Sequence, residues 1–313
     1  MMVAWDPRTR RQPNDCTRMR GRLRRLAWVS VLLLAACSVE TGPPVPSAPL
    51  SGESEPTAAA SATPTGVSRF VDVGGHRLWM ECQGTGSPAV VLEGGLGVYS
   101  GTWFAVMPAV ASGTRVCRYD RAGLGQSDAG PKPRTSRRMV TELHTLLTKA
   151  HVSGPYVLVG HSLAGLNVHL YASTYPKEVA GLVLVDAVHP DLDRRIEKLL
   201  SARQVAQRRA DLELNQEGIR FADILTSEAQ VRVARPVPDV PLVVLRHGLP
   251  FEGGSNWPTE AVEKLWAELQ NDLAKLTPRS QVIVAAKSHH RIQEDEPGVV
   301  SAAIEQVVRA ARK

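Results

Sequence analysis

Small residues bracket a serine in Gly160-His161-Ser162-Leu163-Ala164-Gly165, between the apolar stretch Pro155–Val159 and a helical pattern closed by Pro176. A strand, a tight turn and then a helix lift a hydroxyl out of the backbone at the carboxyl edge of a sheet, where an attacking oxygen is of use. Serine is a weak nucleophile at its own pKa, so this chemistry requires a base within hydrogen-bonding reach. Nine histidines are available, and two of them stand side by side in Ser288-His289-His290-Arg291-Ile292-Gln293. The reaction such a set performs is acyl transfer, in which backbone amides must also meet a developing oxyanion. Glu93-Gly94-Gly95-Leu96 offers amides after another apolar run, although glycines there also suit an ordinary turn. No Lys-Ser or Lys-Thr follows them, so they do not read as a phosphate cradle. Neither His-Glu-x-x-His nor Cys-x-x-Cys occurs, and neither a metal nor an organic cofactor is expected.

The elements that must position these residues alternate between short apolar runs and helical patterns, the signature of a mostly parallel sheet covered on both faces. Strands are expected at Ser68–Val73, His76–Cys82, Pro88–Leu92, Thr114–Tyr119, Pro155–Val159, Val179–Val185, Pro241–Leu245 and Gln281–Ala285. Met139, Leu143, Leu146 and Leu147 recur at helical spacing, as do Val262, Leu265, Trp266, Leu269 and Leu273 after Pro258. The excursion from Asp191 to Asp239 sets Leu192, Ile196, Leu199 and Leu200 at helical spacing among many charges, and reads as a helical cap over the sheet.

With these motifs in place, the chain resembles the α/β-hydrolase family over nearly all of Val67 to Lys313. The elbow around Ser162 carries the resemblance, with Ala164 where glycine is common. The late histidine segment carries it too, with His289 where glycine is common, and Tyr119-Asp120-Arg121-Ala122-Gly123-Leu124-Gly125-Gln126-Ser127 adds to it. The resemblance implies a mostly parallel eight-stranded sheet, Ser162 as nucleophile and His290 as base. It also implies an oxyanion hole from the amides of Gly95 and Leu163. Asp120 and Arg121 would brace the oxyanion loop, His161 would be structural, and His189 and His247 could line the pocket. The family carries its acid after either of two strands. After Pro241–Leu245 stands only Glu252, whereas Asp186 directly follows Val179–Val185; a strand end is rigid, so Asp186 is preferred over Glu252 and Asp191. Asp186 as a mere turn cap is the alternative. Cys82 and Cys117 fall on strands that are neighbours in the family sheet, and a disulfide between them is expected.

The implied activity is hydrolysis of a small-molecule carboxylic ester through an acyl-enzyme. An amidase or peptidase on the same triad and a silent binding protein of this fold are the rivals, and the aspartate-dependent dehalogenases are disfavoured by Ser162. Residues 1–36 look unlike the rest. Arg18, Arg20, Arg22, Arg24 and Arg25 precede an apolar run from Leu26 to Ala36, too short to span a bilayer. Leu34-Ala35-Ala36-Cys37 resembles a bacterial lipobox, which implies cleavage before Cys37, its lipidation and tethering to the extracytoplasmic face of a membrane. Residues 37–66 are rich in Pro, Ala, Ser and Thr without an aromatic and read as a disordered tether. Residues 67–313 form the enzyme domain, with its cap at about 191–239. Eight of the 37 Lys and Arg and two of the 31 Asp and Glu lie in residues 1–36, so 29 of each sign remain. The basic bias belongs to the leader, and no nucleic-acid partner is expected.

Overall fold

A computed structural model describes residues 66–251 and 256–313. Its single sheet is built from β1 (Val67–Asp72), β2 (Arg77–Gln83), β3 (Ala89–Glu93), β4 (Val116–Tyr119), β5 (Tyr156–His161), β6 (Val179–Val185), β7 (Leu242–His247) and β8 (Ser280–Ala285). The strands lie in the order β1-β2-β4-β3-β5-β6-β7-β8, and only the β1·β2 and β2·β4 pairings are antiparallel. The eight-stranded, mostly parallel sheet expected from the sequence is therefore what forms.

The central strands are apolar on both sides because both faces are covered. Val157 and Val159, Val183 and Val185, and Val243 and Leu245 point to one face, where α1 (Met107–Gly113) and α9 (Pro297–Ala311) supply Met107, Val110, Val300, Ile304 and Val307. Leu158, Leu182, Leu184, Leu242 and Val244 point to the other, against α2 (Ser136–Lys149), α3 (Ala164–Thr174) and α7 (Thr259–Leu273). The stripe Val262, Leu265, Trp266, Leu269 and Leu273 on α7 is buried throughout. Cys82 and Cys117 face one another in the register of β2 and β4 and are joined by a disulfide.

Between β6 and β7 the cap comprises α4 (Leu192–Ile196), α5 (Ala202–Glu213) and α6 (Phe221–Arg232). Leu192, Ile196, Leu212, Ile219, Phe221 and Ile224 join the core on the α3 side of the sheet. Leu199 does not: the helix gives way to a 3-10 turn after Ile196, which leaves Leu199 exposed. Cys37, the leader and all of the tether but Gly66 lie outside the described residues, as does Glu252. Among the described residues no helix is long and apolar enough to cross a membrane.

Candidate active site

β5 runs straight into Ser162, whose φ of 54° lies in the left-handed region that β-carbon sterics disfavour. Backbone bonds hold the turn there: Ser162 N donates to Val185 O at 3.1 Å, and Gly165 N and Val188 N both donate to Ser162 O at 2.9 Å. Helix α3 begins at Ala164, whose methyl is accommodated with no exposure. The position that tolerates no side chain is one further on, since a β-carbon on Gly165 would lie 2.5 Å from that of Ala187. This places the small-residue requirement one residue later than in the common form of the elbow.

Asp186 caps β6 in the same left-handed region, with φ 46°. Two such non-glycine residues at neighbouring strand ends mark strain held in place by the surroundings, a pattern that concentrates at functional sites. Asp186 Oδ2 accepts from His290 Nδ1 at 2.7 Å and from His247 Nδ1 at 2.6 Å. Its Oδ1 accepts from Trp266 Nε1 at 2.8 Å and His247 N at 3.2 Å. Burial alone would raise this carboxyl, but the bonds from His247 and His290 outweigh it and hold Asp186 well below the usual carboxylate range.

His290 thus meets Asp186, while its neighbour His289 is exposed and bonds Pro250 O through Nδ1 at 3.0 Å. Asp191, the other candidate acid in the described residues, lies instead near Arg194 and Arg232. His161 donates from Nε2 to the His290 carbonyl at 2.9 Å, with the rings 4.7 Å apart. Burial lowers His161 to about 3, so it remains a neutral strut under His290. Ser162 Oγ and His290 Nε2 make no hydrogen bond within the described residues; the serine–histidine bond of such sites commonly tightens only around substrate.

Gly95 lies against the elbow. A β-carbon there would come within 2.9 Å of His161 Nδ1 and 3.0 Å of Ser162 Cβ, so only glycine lets the loop approach the serine this closely. Neither Gly95 N nor Leu163 N is engaged in a backbone bond among the described residues, which leaves both amides open beside Ser162. The loop is pinned from behind. Arg121 donates from Nη1 to Gly94 O and from Nη2 to Gly95 O, and the same guanidinium pairs with Glu217 of the cap at 2.7 Å and with Glu93 at 3.3 Å. Glu217 in turn accepts from Gly97 N at 2.8 Å, and Asp120 accepts from Ser100 N at 2.8 Å. Asp120 and Arg121 brace the loop, as their place beside it implies.

Beside the elbow Leu96, Leu163, Val188, Leu192, Leu212 and Ile224 line a small apolar cavity of about 10 Å³, room for about one water, with the Asp193–Arg208 ion pair in its wall. His189 and His247 are not among its lining residues. His189 Nδ1 accepts from Asp191 N, and His247 is buried behind Asp186, so neither takes the pocket role expected for it. The missed features were the second histidine on Asp186 and the Glu217 clasp. β7 continues two residues beyond the Leu245 expected as its end, and those residues bring His247 to the strand end beside Asp186. Asp186, His247 and His290 are close enough to hold a metal ion, with ligand atoms within 4.8 Å of one another. Their facing atoms, however, are joined by short hydrogen bonds, which need protons where a metal would need lone pairs.

Residues 88–230 match the family model described as alpha/beta hydrolase fold. The uncharacterized protein YqjL of Bacillus subtilis (strain 168) is 30% identical over 229 residues, which is 73% of this chain and 87% of that protein. The chain belongs to the α/β-hydrolase fold family. Among solved structures it is similar to a thermophilic esterase from Thermogutta terrifontis, at a TM-score of 0.53 and 22% identity over 80% of this chain and 100% of that one. It is also similar to the haloalkane dehalogenase DbeA from Bradyrhizobium elkani, at a TM-score of 0.58 and 17% identity over 79% of this chain and 99% of that one. An esterase and a dehalogenase at comparable likeness establish a shared fold and leave the chemistry of an α/β-hydrolase chain to its own site.

Proposed function

We propose that this α/β-hydrolase chain is a serine hydrolase that cleaves a carboxylic ester through an acyl-enzyme. The observation that carries the reading is the 2.7 Å bond from His290 Nδ1 to Asp186, at the strand end adjacent to the Ser162 elbow. Ser162 Oγ attacks the ester carbonyl as His290 Nε2 takes its proton, and the amides of Gly95 and Leu163 receive the oxyanion. His290 then protonates the departing alcohol. Water, activated by the same imidazole, releases the acid and restores Ser162.

A fluorophosphonate probe is expected to label the protein at Ser162, and p-nitrophenyl esters of graded length to be turned over. Absence of labelling in folded protein would reject the reading.

The proposal extends to location: cleavage before Cys37 and its lipidation tether the domain to a membrane. Two or three acyl chains make such attachment stable, each buried CH₂ contributing about 0.8 kcal/mol. Cys37→Ala is expected to abolish both metabolic lipid labelling and processing by the lipoprotein signal peptidase, and unchanged lipid labelling would remove the anchor.

A further inference from the structure

His247 ends β7 beside Asp186, which caps β6. His247 is 1% exposed and lies between two carboxylates: Nδ1 is 2.6 Å from Asp186 Oδ2 and Nε2 is 2.9 Å from Glu263 Oε2. An ionised carboxylate only accepts, so both ring nitrogens must donate, and an imidazole that donates twice is a cation. Glu263 is itself fixed, since its other oxygen accepts from Phe251 N at 2.7 Å. The charged and titratable groups that face His247 are Asp186 from β6, Glu263 from α7 and, across the shared oxygen, His290 from the loop after β8. The rest of its surroundings is aromatic, with the Phe251 ring 4.5 Å and the Trp266 ring 6.1 Å away.

We infer that His247 is a standing imidazolium which, through Asp186, positions His290 and sets the field in which it works; this rests on the hydrolase reading given above. Asp186 Oδ2 is shared by the two histidines, and a carboxylate that already neutralises one cation exerts less pull on a second proton. His290 is thereby held in the right orientation without the full attraction of an unshared aspartate. Burial works against a charge on His247, yet the bonds to Asp186 and Glu263 outweigh it and push the imidazole up to about 9. Its cationic form therefore persists across the neutral range and is lost only as pH rises through about 9. His247 touches neither Ser162 nor the cavity, so it is a positioning residue.

The test is the pH dependence of kcat/KM on a p-nitrophenyl ester. His247→Gln keeps a donor toward Asp186 and removes the charge; the acid limb is expected to move up by roughly 1 pH unit, the lower end of what one nearby charge does. His247→Lys, which restores a cation, is expected to return the limb toward that of the unmodified protein. A purely structural role would lower the plateau or the stability and leave the limb in place in both variants, and that result would overturn the inference. Nitrogen-15 NMR of the histidine side chains in the unmodified protein needs no variant to fold. At pH 7.5 both His247 nitrogens should be protonated, and a neutral ring would refute the proposal. Failure of fluorophosphonate labelling would overturn the hydrolase reading and this inference together, whereas labelling with an unmoved limb would overturn this inference alone.

Discussion

Ser162→Ala is expected to lower turnover of a p-nitrophenyl ester about 10⁶-fold, since loss of the nucleophile alone disables a unit of this kind almost as fully as loss of all its members. The fold should be indifferent to the change. Ser162 Oγ bonds to nothing in the described residues, so its removal orphans no buried partner, and alanine accepts the same backbone at φ 54° as poorly as serine does. Little change in stability is therefore expected, since no hydrogen bond is lost. Turnover and the urea midpoint measured on one preparation decide the matter. Activity within tenfold of the original would show that another group attacks, and a collapsed midpoint would show that Ser162 is a structural residue.

The second large effect is that of Asp186→Asn, for which a fall in turnover of about 10⁴-fold is expected. Four donors converge on this carboxylate, two on each oxygen. An asparagine amide must present its NH₂ to one of those pairs. If it faces the Oδ2 pair, His290 loses the acceptor that fixes its tautomer; if it faces the Oδ1 pair, Trp266 and the His247 amide meet a donor. Sequence reasoning alone would have the variant fold as well as the original. The four converging donors argue otherwise, because breaking a buried charged network typically costs about 3–5 kcal/mol. Turnover must therefore be measured at low temperature on protein shown to be folded by circular dichroism. A folded variant within tenfold of the original would remove Asp186 from the proposed triad.

How much of this could be read from the amino acids depended on whether a residue's role is local. The strands β3, β5, β6 and β7 were legible because each is an apolar run bounded by turn residues, and the parallel order followed from the helices between them. Ser162 and the His289–His290 pair were legible because the elbow and the late loop are contiguous motifs. Asp186 was reachable only as a carboxylate at a strand end. The second imidazole on Asp186 was not legible, since nothing near His247 in sequence announces a partner 61 residues away. A partial signal did exist on α7. Glu263 stands among Val262, Leu265 and Trp266, and an acid set into an otherwise apolar helix face must find a partner there or reach water. Arg121 and Glu217, 96 residues apart, were equally invisible as a pair, although each sits at a place where a buried charge is costly.

The clasp between Arg121 and Glu217 bears on how this protein can acquire new substrates. The segment from Asp191 to Asp239 lines the cavity through Leu192, Leu212 and Ile224, as an interchangeable module would. It is not one, because its Glu217 also fastens Gly97 and shares the guanidinium that holds Gly94 and Gly95 in place. A transplanted cap without a carboxylate at this point would leave Arg121 with Glu93 as its ion-pair partner and loosen the loop that packs against the Ser162 elbow. Recombination is thus constrained: any exchange that alters selectivity must import an acid for Arg121 along with the new pocket wall, or forfeit rate in the same step.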